Sequence, residues 1–482
     1  VSLPFEPTTN TMPAGHDGRE RQGMTDTTVP HRGDAKAMAR DWWWAALILV
    51  GLVAFVLRWY YVSHAVIDRP VRGDAVEYHA YAWNMVHHET FSRSRPGSAT
   101  VVADNFRDPG YPAFLTFWMA VRGDFPNWYW PVLLSQALLG ALTVMLFMAA
   151  ARRWIPDRWL IGAGLLMAVW PHSVTITSYV LSETLLGFLC ALGFLLLAQM
   201  FHRGSRTLAL LAGLSFGSAA MTNAVVLPFI PILALLLWWR KLVPGRLLAM
   251  LVLGMVLLPA AWAVRNTHVT AEESSSSRAV MNLVQGSWPE YHESYFRKVI
   301  FDDPEAGRVL GQIDHEYRVF NANPSQGLAI MSERLRAEPW RYARWYLWKP
   351  LLLWDWDIRM GDGDIYIFPT PYSPFREEPW LRALAAICHT LNPVLTLLMF
   401  FGCLLVLVRI KTEPSESTAM VLLIGFVTLV YSVLQSEPRY SIPFRGLEIL
   451  LVTYTGWRVA EWIASKRLAA ASPSGGDRGQ TP

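Results

Sequence analysis

Along this chain, stretches without a single charged residue alternate with two long polar segments. Charge-free windows run from Trp42 to Leu57, Phe125 to Ala151, Trp159 to Ser182, Thr184 to His202, Thr207 to Trp239, Leu247 to Val264, Ala383 to Val408 and Ser417 to Ser436. Most reach the length of about 20 residues that a bilayer-crossing helix needs. The window from Thr207 to Trp239 is too long for one crossing: at about 1.5 Å per residue it makes about 50 Å, against a hydrocarbon core of about 30 Å. Its polar pair Thr222-Asn223 divides it into two short spans. A last, weaker span runs from about Ile442 to Trp462 and carries Glu448, Arg458 and Glu461. The pattern predicts an all-α polytopic membrane protein with about ten transmembrane helices.

Basic residues give that count a direction, because Lys and Arg gather in short cytoplasmic loops. They occur before the first predicted span (Arg19, Arg21, Arg32, Lys36, Arg40) and then after every second one: Arg152, Arg153 and Arg158; Arg203 and Arg206; Arg240, Lys241 and Arg246; Arg409 and Lys411; Lys466 and Arg467. Both termini are therefore expected in the cytoplasm, and two large segments on the outer face, from His64 to about Asp124 and from Arg265 to about Arg382. The organisation predicted is a disordered N-terminal segment (1–40), a transmembrane core (41–264) with a first outer loop (64–124), an outer segment (265–382), C-terminal transmembrane helices (383–465) and a disordered cytoplasmic tail (466–482). Within the first outer segment, Val76, Ala80, Trp83 and Val86 recur at helical spacing, predicting a helix over Ala75–His88. Tyr111 to Val121 is apolar yet too short to cross. Both are expected to lie on the outer interface. Trp340, Trp345, Trp348, Trp354 and Trp356 suit the headgroup layer, so Arg341–Trp356, interrupted by Pro350, is read as a third interfacial helix and not as a crossing.

Composition agrees with this picture. Of 482 residues, 53% are hydrophobic and only 17% are Asp, Glu, Lys or Arg, against about 25% charged in globular proteins. The formal net charge of +4 is accounted for by loop orientation, and no basic stripe with interleaved aromatics marks a nucleic-acid surface. Cys190, Cys388 and Cys403 all fall inside predicted spans, so neither a disulfide nor a metal cluster is expected. The apolar run beginning at Trp42 is too long for a cleavable signal peptide. The chain opens on Val1, which suggests a non-Met start or an overextended reading frame with Met24 as the start.

A set of ionisable residues at the outer ends of the spans is not required by topology. In Gly73-Asp74-Ala75-Val76-Glu77-Tyr78, Asp74 reads either as a helix N-cap or as a general base whose basicity is raised at the membrane surface. Arg107-Asp108-Pro109-Gly110-Tyr111-Pro112 opens the second interfacial helix and brings a cation able to bind a phosphate. Glu183 interrupts what would otherwise be an apolar run from Trp159 to His202; it reads as a polar turn or, being ionisable at the membrane boundary, as a functional group. Arg265, beside Asn266, ends the seventh predicted span, and Arg439, Tyr440 and Arg445 lie between the ninth and tenth. Each Arg reads as an interfacial anchor or a phosphate ligand, and Arg439 and Arg445 run against the positive-inside bias. His79, His87, His88 and His172 lack the spacing of a zinc site. Carboxylates and arginines together at headgroup depth suit group transfer from a lipid phosphate, the arginines holding the leaving phosphate and a carboxylate activating the attacking hydroxyl.

The ordered strings Asp74-Ala75 with Tyr78, Arg107 to Pro112, Ser182-Glu183, Trp262 to Asn266 and Arg439-Tyr440 resemble the bacterial C-type (GT-C) glycosyltransferases of the protein O-mannosyltransferase and aminoarabinose transferase type. The resemblance implies an inverting glycosyltransferase of the cytoplasmic (inner) membrane, active on its periplasmic or exterior face. Its donor would be a polyprenyl-phosphate sugar, and its acceptor a glycan, lipid or protein hydroxyl. It casts Asp74 as catalytic base, Glu183 as the second acidic group, and Arg265 and Arg439 as facing the donor phosphate; Glu77, Tyr78, Arg107, Tyr111, Asn266, Tyr440 and Arg445, at the same outer ends, are the further residues expected at the substrate. Two carboxylates permit a divalent ion without demanding one. One departure stands out: where similar sequences carry an Arg near the outer end of the fifth span, this one reads Met221-Thr222-Asn223. The competing expectation is a secondary transporter or flippase of lipid-linked sugars; such proteins place ionisable residues at the midplane on broken, repeated helices, and the midspan positions here are almost free of charge.

Overall fold

The computed structural model describes residues 32–269, 274–359 and 365–471, and these are helices joined by loops, with two isolated bridges, Val66 to Tyr372 and Asn105 to Ser274. Val1–Trp44 and Ala45–Pro482 form two compact units, and the first contributes only the start of one helix to the described residues. That helix, α1 (Arg32–His64), starts ten residues before the expected span, so the last part of the segment expected to be disordered is helical. Residues 1–31 and 472–482 lie outside the described residues.

The first polar segment folds as α2 (Asp74–His88) and α3 (Gly110–Arg122), both where the apolar spacing predicts them. Next come α4 (Tyr129–Ala151), α5 (Asp157–Val169) and α6 (Pro171–Thr175), the last running into a 3-10 turn at Ile176–Ser178. α5 and α6 are bent by 58° at Trp170, and the cause is local. Pro171 has no N–H to give the carbonyl of Met167, four residues earlier, so the ladder breaks there. Arg58 of α1 fills the gap: its guanidinium donates to Ala168 O at 2.9 Å and Met167 O at 3.4 Å, and to Ala54 O of its own helix at 3.0 Å. The break lets the chain turn at the bundle end and start α7 (Glu183–Arg203) directly with Glu183.

Helices α8 (Arg206–Thr222), α9 (Phe229–Trp239) and α10 (Gly245–Asn266) follow, with Asn223 ending α8 at the expected division. α8 and α10 touch backbone to backbone: a Cβ on Gly213 would lie 2.2 Å from Leu251 O, and one on Gly254 2.3 Å from Leu210 O. Small residues are what such close packing between membrane helices requires.

The second polar segment, in which the pattern predicts a helix only at the Trp-rich end, is helical through most of its described residues. It comprises α11 (Ser275–Gly286), α12 (Tyr291–Phe301), α13 (Pro304–Ala322), α14 (Pro324–Ala337) and α15 (Pro339–Leu353). Val284, Tyr291, Ile313 and Met331 form its own small core. Lys349 of α15, fully buried, fastens it to the rest: the ammonium donates to Gly286 O at 2.9 Å, at the end of α11, and to Leu434 O. After α16 (Pro374–Glu377) the chain closes with α17 (Pro379–Val408), α18 (Ser415–Val433), a 3-10 stretch at Pro438–Phe444 and α19 (Arg445–Ala471).

The expected count of about ten membrane helices is corrected downward. Among the described residues six helices are long and apolar enough to cross: Trp42–His64 of α1, α4, α7, α10, α17 and α18, with a seventh if the bent α5–α6 pair is one span. The other three expected crossings are helices at their expected places but fall short. α8 has 17 residues, Ala224–Trp239 is a shorter apolar piece, and α19 carries Arg445, Glu448, Arg458 and Glu461. The protein is nonetheless a multi-pass membrane protein.

Candidate active site

Four segments far apart in sequence meet at one end of the bundle. α2 begins with Gly73 at its cap position, φ +54°, and no side chain caps the helix. The Asp74 carboxylate is thereby free of the N-cap duty the sequence allowed it, and turns to two arginines instead. Arg107 Nη2 donates to Asp74 Oδ1 at 2.8 Å, and Arg439 Nη2 to Asp74 Oδ2 at 2.7 Å. Each arginine reaches a second carboxylate through Nε: Arg107 bonds Glu77, and Arg439 bonds Glu183 Oε1 at 2.5 Å. The result is an alternating chain, Glu77–Arg107–Asp74–Arg439–Glu183. Glu183 is its buried end, its side chain 7% exposed against 29% for Asp74. Glu183 Oε2 accepts no hydrogen bond from a described residue.

The scaffold behind each member is specific. Arg107 is presented by a loop built around buried Asp104, which accepts from Tyr81 OH, from Arg93 N at 2.7 Å and from Phe106 N at 3.0 Å. Arg265 closes that loop, donating to Asp104 O at 2.6 Å and Phe91 O at 3.2 Å, with Asn266 Oδ1 at 3.2 Å. Arg265 and Asn266 therefore hold the loop that carries Arg107 and do not themselves pair with the carboxylate chain. Tyr111 joins α3 to α4 through Gln136 Oε1 at 2.8 Å, and the Gln136 amide donates to Thr177 O and Tyr179 O of the broken span, just ahead of Glu183. The Tyr78 ring lies under the Arg107 guanidinium at 5.4 Å and meets Tyr111 edge-on. Tyr440 stacks on Tyr431 at 4.9 Å and donates to Gln435 Oε1. Arg445 stands apart: it is buried in ion pairing with Glu448 at 2.8 Å, with Asn392 and the Asp355 carbonyl as further partners, and so locks α19 to its neighbours.

Electrostatically, the expectation of a raised basicity at Asp74 is reversed. Burial by itself raises the carboxyl, but Arg107 and Arg439 outweigh it and hold Asp74 below the ordinary carboxylate range. Arg439 is correspondingly held above the usual arginine range: burial lowers it, and Glu183 and Asp74 more than compensate. No group of three or more His, Cys, Asp or Glu side chains among the described residues is placed to hold a metal, and both Asp74 oxygens are already taken by guanidinium groups. Of the histidines, His87 pairs with Asp124 at 3.0 Å, and His79 stacks over Trp128.

Two members of the neighbourhood were not singled out from the sequence. Asp108 Oδ2 accepts from Ala224 N at 3.1 Å and from Arg278 Nη2 at 2.6 Å, so an arginine from α11 and the backbone just after α8 share one carboxylate oxygen. Arg58 is the other; it ends the first charge-free window at Leu57 while the helix runs through it to His64, and a lone Arg inside an apolar run was its available signal. Arg278 follows a Ser run and carries no comparable signal.

No family model matches the chain, and no curated protein does. Among solved structures, it is similar to the Archaeoglobus fulgidus oligosaccharyltransferase tethered with an acceptor peptide. The identity is 11%, the match covers 91% of this chain and 52% of that one, and the TM-score is 0.50. The chain thus spans about half the length of that protein. A second match is ArnT from Cupriavidus metallidurans bound to undecaprenyl phosphate, with 15% identity over 90% of this chain and 81% of that one and a TM-score of 0.35. The likeness to the oligosaccharyltransferase shows the fold alone: this chain is an all-α polytopic membrane protein that shares the helical architecture of the matched part of that protein.

Proposed function

We propose that the protein is a membrane glycosyltransferase that moves a sugar from a polyprenyl-phosphate donor to an acceptor hydroxyl at the outer face of the cytoplasmic membrane, with inversion at the anomeric carbon. The observation that carries this reading is the chain Glu77–Arg107–Asp74–Arg439–Glu183 at one end of a membrane bundle. Arginines are the side chains suited to a phosphate, and a carboxylate shared between them is suited to take a hydroxyl proton. Likeness in fold to an oligosaccharyltransferase supports a sugar-transferring role.

In this reading Asp74, shared by both arginines and more open than Glu183, accepts the proton of the acceptor hydroxyl. The hydroxyl oxygen forms the new bond to the anomeric carbon while the bond from that carbon to the phosphate oxygen breaks. The electron pair leaves with the polyprenyl phosphate, whose developing charge Arg107 and Arg439 stabilise. The depressed basicity of the resting Asp74 fits this sequence of events. Each arginine spends Nε on a flanking carboxylate and Nη2 on Asp74, and a donor phosphate drawing on either one weakens its hold on Asp74. The base gains strength when the donor is in place. Glu183, buried, orients Arg439.

The test is Asp74→Asn assayed for sugar transfer from polyprenyl-phosphate donors in membranes, at matched protein level. General bases contribute about 10²- to 10⁴-fold, and a loss in that range is expected. Full turnover in the variant would remove Asp74 from the role of base.

A further inference from the structure

Resting on the reading above, we infer that Arg278 of α11 is a third phosphate-binding arginine, so that the donor's phosphate subsite is completed by the second polar segment. The argument starts from charge. Three carboxylates, Asp74, Glu77 and Glu183, face two guanidinium groups, Arg107 and Arg439. A phosphate entering that set adds further negative charge, and a low-dielectric site penalises an uncompensated anion heavily. A cation from outside the chain of five lowers that cost if it can turn from its own carboxylate partner toward the phosphate.

Arg278 is placed to supply it. Its side chain is 16% exposed and is pinned by Asp108, the residue following Arg107, through Nη2 at 2.6 Å. It lies close enough to Arg107 and Tyr78 to feel both electrostatically. Tyr431, which stacks on Tyr440 next to Arg439, feels Glu183, Arg439 and Arg278 together. Among the described residues Arg278 has one carboxylate partner where Arg107 and Arg439 have two, and that partner also accepts from Ala224 N. Arg278 is the least committed guanidinium of the three.

The bland role for Arg278 is to hold Asp108, and through it the loop and the end of α8. Binding of undecaprenyl phosphate to the purified full chain in lipid nanodiscs separates the two roles. Asp108→Asn keeps an acceptor for Ala224 N and removes the charge that competes for Arg278. A phosphate-binding Arg278 predicts that Asp108→Asn binds the probe as well as wild type or a few-fold tighter. Arg278→Gln then binds it at least about ten-fold more weakly, and Arg278→Lys, keeping the charge but not the fork, falls between. Equal effects of Asp108→Asn and Arg278→Gln on both affinity and thermal stability would overturn the inference, as would unchanged affinity in Arg278→Gln. Should Arg278→Gln fail to fold, Asp108→Asn decides: binding of the probe several-fold weaker than wild type overturns the inference. A wild-type protein that binds no undecaprenyl phosphate sinks the donor assignment itself, a different and recognisable outcome.

Discussion

Asp74 and Arg439 are separated by 365 residues in the chain and by 2.7 Å between carboxylate and guanidinium. One joins the start of α2 to the turn between α18 and α19, and Glu183 extends the link to the start of α7. The pair is therefore a fastening between the first loop and the end of the bundle as well as the centre of the proposed chemistry, and both aspects can be measured.

The acid stability of the protein should carry the signature of Asp74. Arg107 and Arg439 hold its folded value below the ordinary 3.8, against the opposing pull of burial. The unfolded chain then binds more protons than the folded one in that window. The contribution to stability is complete above about 3.8 and is lost as the pH falls toward the lower folded value. Thermal melts carried from about pH 5 down to about pH 2 should show a steeper decline for wild type than for Asp74→Asn below about pH 4; parallel curves there would mean that the pairing adds nothing to folding.

Replacing Arg58 tests the origin of the bend between α5 and α6. Arg58→Met leaves Met167 O and Ala168 O without their donors inside the bundle. An unsatisfied buried carbonyl costs about 1–3 kcal/mol. The variant should melt several degrees lower in detergent, and because Glu183 follows the break, donor binding should weaken too. A Met variant as stable as wild type would mean that the proline break alone maintains the bend.

Lys349 offers a pH dependence at the other end of the scale. Burial pushes its ammonium from the ordinary 10.5 down to about 7. Between these values the unfolded chain binds more protons than the folded one, so stability rises with pH from about 7 to about 10. The neutral amine still has hydrogens to give Gly286 O and Leu434 O, so the junction survives the proton's departure. Lys349→Met should flatten this rise in thermal melts; an identical slope in the variant would place the titration elsewhere.

Much of the architecture is readable in one dimension, because a bilayer imposes length and apolarity on any helix that crosses it. The windows predict helices at α1, α4, α5, α7, α8, α9, α10, α17, α18 and α19, and the division at Thr222-Asn223 falls where α8 ends. The number that cross is less readable, since α8 and α9 are short and α19 is charged, and apolar helices can be buried in a bundle without spanning. In the second polar segment α15 was legible from its Trp-rich run, whereas α11 to α14 escaped because their apolar positions serve a small separate core of Val284, Tyr291, Ile313 and Met331.

By itself, then, the sequence determined an all-α membrane protein and a short list of ionisable residues that orientation does not explain, because burying a charge at a membrane is costly enough to leave a visible mark. Only the tertiary structure decided which of them work together. Asp74, Glu77, Arg107, Glu183 and Arg439 form one ion-paired chain, while Arg265 braces a loop and Arg445 pairs with Glu448 in the core. It also decided the protonation behaviour of Asp74: a carboxylate's basicity is set by the charges within a few ångströms, and here those come from residues 33 and 365 positions away.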